Sequence, residues 1–89
     1  MKTFKDLEFV AHPNMVHIGG VQARIQFDNG YGASVVRSQY TYGGDKGLYE
    51  LAVLDSAGSL TYDTPITNDV IGYLRPEDVT DVMEKIQQL

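Results

Sequence analysis

The chain of 89 residues has no cysteine, which excludes disulfides and thiolate metal centres together. It also has no tryptophan and only three prolines. Seven Lys and Arg stand against twelve Asp and Glu, a net charge of −5. With so few cations, a surface that replaces the counterions of nucleic-acid phosphates is not expected, so no direct nucleic-acid binding is expected either. No apolar run approaches the ~20 residues of a membrane span. The opening Met1-Lys2-Thr3-Phe4-Lys5-Asp6-Leu7-Glu8 lacks the apolar stretch of a signal peptide. These absences predict a soluble, cytoplasmic protein with no membrane partner. At this length one domain over residues 1–89 is expected, with a single two-layer core. Mild acidity can serve solubility alone, or it can meet a basic surface on a partner.

What is present is best defined between Val21 and Val36. Val21, Ala23, Ile25 and Phe27 alternate with Gln22, Arg24 and Gln26, the period-2 pattern of a half-buried strand. Asp28-Asn29-Gly30 interrupts it, and Tyr31, Ala33 and Val35 resume it. A three-residue loop with Gly30 in the left-handed bulge position pairs Phe27 with Tyr31, Ile25 with Ala33 and Ala23 with Val35. A two-residue Asn-Gly loop would set Phe27 against Gly32 and mix the faces. Phe4 to Val10 suits a first strand, ended by Pro13, and Met15 to Ile18 is ambiguous.

A second hairpin is read from Tyr49, Leu51 and Val53, a four-residue turn Asp55-Ser56-Ala57-Gly58, and a return through Leu60 and Tyr62. It pairs Val53 with Leu60 and Leu51 with Tyr62, and it sets Glu50 near Asp63. Tyr49 and Tyr62 then point inward. Val70 to Leu74 adds a short strand or turn. From Pro76 a helix begins, with Glu77 and Asp78 where the N-terminal dipole favours negative charge. Arg75 offers no side-chain acceptor, so the cap must come from the backbone or a distant side chain. Val79, Val82, Met83 and Ile86 form its apolar stripe. The predicted class is α+β: an antiparallel sheet of four or five strands, in two hairpins, packed against one C-terminal helix.

Candidate sites follow from what that fold leaves outside. Glu77, Asp81, Glu84 and Gln88 fall opposite the apolar stripe, an acidic ridge with Asp78 on its flank and only Lys85 in relief. Such a ridge is a solvated helix face or a docking surface for a basic groove on a partner. Tyr40 and Tyr42 lead into Gly43-Gly44-Asp45-Lys46-Gly47, and tyrosines on a loop offer large rigid contact area at low entropy cost. The alternative for both rings is that they cover the end of the sheet. Partner-binding candidates are therefore Glu77, Asp78, Asp81, Glu84, Tyr40, Tyr42, Asp45 and Lys46. Arg24, Arg37, Tyr40 and Tyr42 form the alternative set, a clamp for a small anionic or nucleotide ligand in a pocket that two subunits could share. The glycine-rich loop lacks the spacing of a phosphate loop and precedes a strand, not a helix. His12 and His17 do not specify a metal site. Ser34, Ser38 and Ser56 have no histidine–acid partnership. No cofactor, no metal and no enzymatic activity is expected. A sheet with one helix leaves a face or edge partly uncovered, so a homodimer is open.

The segments Gly20-Val21-Gln22-Ala23-Arg24, Phe27-Asp28-Asn29-Gly30-Tyr31-Gly32, Gly47-Leu48-Tyr49-Glu50-Leu51-Ala52-Val53-Leu54 and Thr64-Pro65-Ile66-Thr67 resemble those of a family of small uncharacterised tailed-bacteriophage proteins. The resemblance covers most of the chain and brings no functional residues with it. It implies expression in the cytoplasm of a bacterial host. By analogy with other small acidic phage proteins, it implies inhibition of a host protein, including CRISPR effectors and other defence factors. A phage structural or regulatory subunit is the third reading.

Overall fold

A computed structural model describes residues 1–11, 19–67 and 69–89. Five strands, β1 (Val10–Ala11), β2 (Val21–Gln26), β3 (Gly32–Arg37), β4 (Tyr49–Leu54) and β5 (Ile71–Leu74), lie in sequence order in one antiparallel sheet. The helix α1 (Pro76–Gln87) packs on one face of it. This is the predicted α+β class.

The first hairpin has the predicted register. Ala23 pairs with Val35 and Ile25 with Ala33, and the Phe27 N–H donates to the Tyr31 carbonyl at 2.7 Å. Gly30 sits at φ +95°, a conformation that costs an L side chain 1–2 kcal/mol, roughly, and glycine nothing steric. Odd-numbered residues of β2, β3 and β4 therefore face the helix. Ala23, Phe27, Ala33, Val35, Leu51 and Val53 meet Val79, Met83 and Ile86 there, and all nine are buried.

The second hairpin differs by one residue from its expected form. Gly58 takes φ +79°, and the Asp55 carboxylate accepts the N–H groups of Ala57 and Ser59 at 2.9 and 3.0 Å. The loop is thus Ser56-Ala57-Gly58, closed by the Asp55 N–H to the Ser59 carbonyl at 2.8 Å. Leu60 pairs with Leu54, not Val53, and Thr61 donates to Val53. Tyr62, expected inside, is 45% exposed. Glu50 pairs with Val36 and holds the Tyr42 N–H instead of facing Asp63.

The N-terminal segment also departs from expectation. Phe4–Asp6 is a 3-10 turn, and among the described residues of this segment only Val10–Ala11 pairs in the sheet, as an edge. The cause is tertiary: the Phe4 N–H donates to the Thr80 hydroxyl at 3.0 Å, and Lys2 exchanges two hydrogen bonds with the Gln87 side chain. The turn is thereby drawn onto α1. Phe4 meets Tyr49 edge-on and Phe9 lies tilted against it, at centroid distances of 5.2 and 5.3 Å, closing the core at that end. Tyr49 is half-buried against the core, as expected.

Among the described residues the face away from the helix has no second layer, yet Ser34, Ala52 and Leu54 are buried on it. Long polar side chains of β2 cover it. The Gln22 amide donates to the Ser34 hydroxyl at 3.3 Å. The Gln26 amide donates to both the Gly30 and Asp55 carbonyls at 2.9 Å, tying the two turns together, and the Arg24 guanidinium donates to the Gly58 carbonyl. Their aliphatic stems lie over small residues while their polar ends are satisfied. No helix among the described residues is long and apolar enough to cross a membrane.

Met83 is fully buried at the centre of the helix contact. Met83→Ala should cost about 2–5 kcal/mol, read as a lower midpoint in chemical denaturation. Asp81→Ala, on the exposed face of the same helix, should stay within about 0.5 kcal/mol of wild type.

Candidate recognition surface at the start of the helix

The connection from β3 to β4, residues 38–48, is held almost entirely by its own hydrogen bonds. Ser38, 5% exposed, receives the Tyr40 N–H on its hydroxyl at 3.1 Å and gives its own N–H to the Thr41 hydroxyl at 2.9 Å. The Thr41 hydroxyl donates back to the Ser38 carbonyl at 3.0 Å. The N–H groups of Thr41, Gly44, Lys46, Gly47 and Leu48 all find carbonyls within the loop. The Tyr42 N–H is taken by the Glu50 carboxylate at 2.9 Å. A loop with so few unpaired backbone groups is organised before anything binds it.

Against this scaffold the tyrosine rings stand in solvent. Tyr40 is 76% and Tyr42 62% exposed. The alternative, that they cover the sheet end, is not what the geometry gives. A third ring joins them from β5. Leu51 pairs with Ile71 and Tyr49 with Leu74, so β5 carries one extra residue between those pairs. The bulge leaves Tyr73 at φ +58°, the one described non-glycine residue with positive φ, and its side chain is 58% exposed. The Tyr73 N–H donates to the Tyr42 carbonyl at 3.1 Å. A Cβ on Gly72 would come within 2.4 Å of the Tyr42 Cβ, so only glycine lets β5 approach the loop this closely. Bulges re-aim side chains, and a bulky residue in the left-handed region is an outlier that the surrounding structure must hold.

Sequence reasoning missed Tyr73 and the anchoring role of Glu50. The isolated Gly72 inside an apolar strand pattern was the available signal, since such a glycine marks a bulge or a close backbone approach. Glu50 offered none, because its partner is a backbone amide reached only through the fold.

Topology brings the loop residues of the expected partner-binding set and the first turn of α1 to one end of the sheet. β5 ends at Leu74, opposite Tyr49 at the start of β4, and α1 begins two residues later. Tyr40, Tyr42, Asp45 and Lys46 thus share an end with Glu77 and Asp78, while Asp81 and Glu84 follow along α1 toward the other end. Asp45 and Lys46 lie exposed on a 3-10 turn, Gly44–Lys46. Glu77 and Asp81 are exposed, and Asp78 and Glu84 half-exposed.

The ridge is less bare than the sequence implied. Arg75 lies 3.3 Å from Glu77 and 3.0 Å from Asp78, so Lys85 is not its only relief. Arg75 occupies the cap position without capping through its own side chain. The Asp78 carboxylate instead accepts the Arg75 N–H at 3.0 Å. The Arg75 guanidinium hydrogen bond, then that backbone N–H, hold the Asp78 carboxyl below the usual carboxylate range.

The alternative ligand set is divided by the sheet. Arg37 is on the helix side, its guanidinium 5.1 Å from the centre of the Tyr49 ring and hydrogen-bonded to the Tyr49 hydroxyl at 3.2 Å. Arg24 is on the opposite face, where it lines a shallow depression of about 240 Å³ with Gln22, Ser34, Val36 and Glu50. Arg24 and Arg37 therefore do not converge on one face of the sheet. His12 and His17 lie outside the described residues. Among the described residues, no three His, Asp or Glu side chains converge as metal ligands.

The class these features define is a five-stranded antiparallel meander with one covering helix and an aromatic surface at the helix start. Comparison with protein-family models, with curated proteins and with solved structures finds no match.

Relieving the backbone at Tyr73 should raise stability: Tyr73→Gly by about 0.5–1 kcal/mol, the left-handed penalty less the entropy of glycine. Gly72→Ala should lower it by about 1–3 kcal/mol through the clash with Tyr42. Denaturant midpoints check both. Followed by NMR, Asp78 should titrate below ordinary aspartates and move only part of the way back in Arg75→Ala, which keeps the backbone N–H donor. Because its folded value is the lower one, this contact stabilises fully above the unfolded pKa and is lost as pH falls through the folded value.

Proposed function

We propose that this chain is a non-catalytic protein-binding module whose contact surface is built from Tyr40, Tyr42 and Tyr73, with Asp45 and Lys46 at its rim. The observation that carries the reading is three exposed tyrosine rings on a hydrogen-bonded scaffold, one kept at a positive φ. Rigid amphipathic rings with little entropy left to lose are the side chains on which protein interfaces concentrate their energy. Asp81 and Glu84 form no ion pair among the described residues. They add a negative flank that speeds encounter with a basic surface more than it tightens the complex.

The resemblance to tailed-phage proteins extends the reading: the partner is a host protein inside a bacterium, a defence factor in the sharpest form, and binding inhibits it. Against the anionic-ligand reading stands the separation of Arg24 from Arg37 across the sheet, which would require a second copy to complete a pocket.

Capture from a bacterial host lysate tests this. The wild-type chain should retain one host protein in stoichiometric amount. Alanine at each tyrosine should weaken that complex by about 2 kcal/mol or more, roughly thirtyfold, with the fold intact by circular dichroism. Asp81→Lys with Glu84→Lys should slow association and flatten its salt dependence while leaving dissociation nearly unchanged. A complex that survives loss of all three rings would refute the surface, and the absence of any retained protein would refute the function.

A further inference from the structure

At the end of the molecule away from the tyrosines, the first hairpin turn reaches the last turn of α1. The Asn29 side-chain amide donates to the Ile86 carbonyl at 2.8 Å and to the Leu89 carbonyl at 3.5 Å. Its oxygen accepts the Tyr31 N–H at 3.1 Å. The Ile86 carbonyl also accepts the Leu89 N–H at 3.1 Å, so this side chain closes the turn and supplies a second donor at the helix end. The residue that follows is Gly30, and an Asn-Gly pair is the least hindered setting for intramolecular deamidation. In that reaction the Gly30 backbone nitrogen attacks Asn29 Cγ and gives up its proton. The Cγ–Nδ2 bond breaks, ammonia leaves, and a five-membered succinimide forms. Water then opens the ring to aspartate or isoaspartate.

We propose that Asn29–Gly30 is a deamidation site gated by folding, closed in the native chain and open in the unfolded one. Asn29 is solvent-exposed, so burial is not what protects it. Protection comes from hydrogen bonds. The Gly30 N–H is held on the Phe27 carbonyl at 3.1 Å, and both polar atoms of the Asn29 side chain are engaged, by Tyr31 and by the helix end. Reaction needs all of these contacts released together.

The product cannot restore them. Aspartate presents oxygen where Nδ2 donated, leaving the Ile86 carbonyl facing an acceptor. It also puts negative charge at the negative end of the helix dipole. Isoaspartate lengthens the backbone of a loop whose three residues fix the register of β2 and β3. A chain that lingers unfolded is thereby marked one way, with one more negative charge, and returns to a weaker fold. This inference is independent of the recognition reading.

The test uses the purified full chain in mildly alkaline buffer, with peptide mapping by mass spectrometry and isoaspartate detection. Deamidation at Asn29 should be at least about tenfold slower in buffer than in guanidinium chloride. The destabilised Met83→Ala chain should react faster than wild type with no denaturant present. Asn29→Asp should lower Tm by about 5 °C or more, and further than Asn29→Ala does. Equal rates in folded and unfolded chains, or an Asn29→Asp protein with wild-type Tm, would overturn the proposal. An Asn29→Asp chain that fails to fold is the same loss carried further, and the rate comparison on the wild-type chain decides independently.

Discussion

The register between β2 and β3 is the constraint on which the rest of the structure depends. Side chains alternate with period two, so a slip of one residue would exchange Ala23, Phe27, Ala33 and Val35 with Arg24, Gln26 and Ser34. The apolar stripe of α1 would then meet polar groups, and Gln22, Arg24 and Gln26 could no longer close the other face. Three residues, Asp28-Asn29-Gly30, hold that register, and Asn29 extends its influence to the far end of the helix. β3 and β4, buried on both faces over most of their length, then inherit their partners from a single turn.

Much of this was legible in the chain because the signals are local. Alternation, a left-handed glycine after Asp-Asn, and apolar residues spaced along Pro76–Gln87 each express a preference that tertiary contacts did not override. The failures are as informative. Ser56-Ala57-Gly58 is the same turn as Asp28-Asn29-Gly30, but the strand beyond it is too short for alternation to choose between loops of three and four residues. Leu60 and Tyr62 were thus assigned to the wrong face. Phe4–Val10 is apolar enough for a strand, yet its geometry is set by Thr80 and Gln87, some eighty residues away in sequence. At the site, the glycine-rich surroundings of Tyr40 and Tyr42 left their rings open between a recognition loop and a cover for the end of the sheet. Tyr73 left only the weaker signal of Gly72, because its position depends on a bulge that forms when β5 meets both β4 and the loop.

Stability and exposure are unevenly distributed along the molecule. At one end Asn29 and Gln87 stitch turns and termini to the helix, and every contact favours the fold. At the other, Tyr73 occupies a backbone conformation that opposes the fold, with a ring that is largely in water. A glycine at Tyr73 would fit the same backbone, and a smaller side chain would lose no packing on the core. Strain of this kind persists where surrounding structure over-determines it, and here the Gly72 approach and the Tyr42 carbonyl do so. The cost is intelligible if the ring is wanted outside.

The polar side chains point to the same division. Ser38, Thr41 and Glu50 are spent on the loop, Gln22 and Gln26 on the outer face, and Arg75 and Asp78 on each other. Among the described residues no buried side-chain nitrogen or oxygen lacks a partner. Groups already satisfied by the fold are poor starting points for binding, since a new contact must first break an old one. The rings of Tyr40, Tyr42 and Tyr73 carry no such debt. Their faces are apolar, their backbones are fixed, and water is what a partner would displace from them. On the proposed reading, a partner protein gains by desolvating these rings while the polar network beneath stays intact.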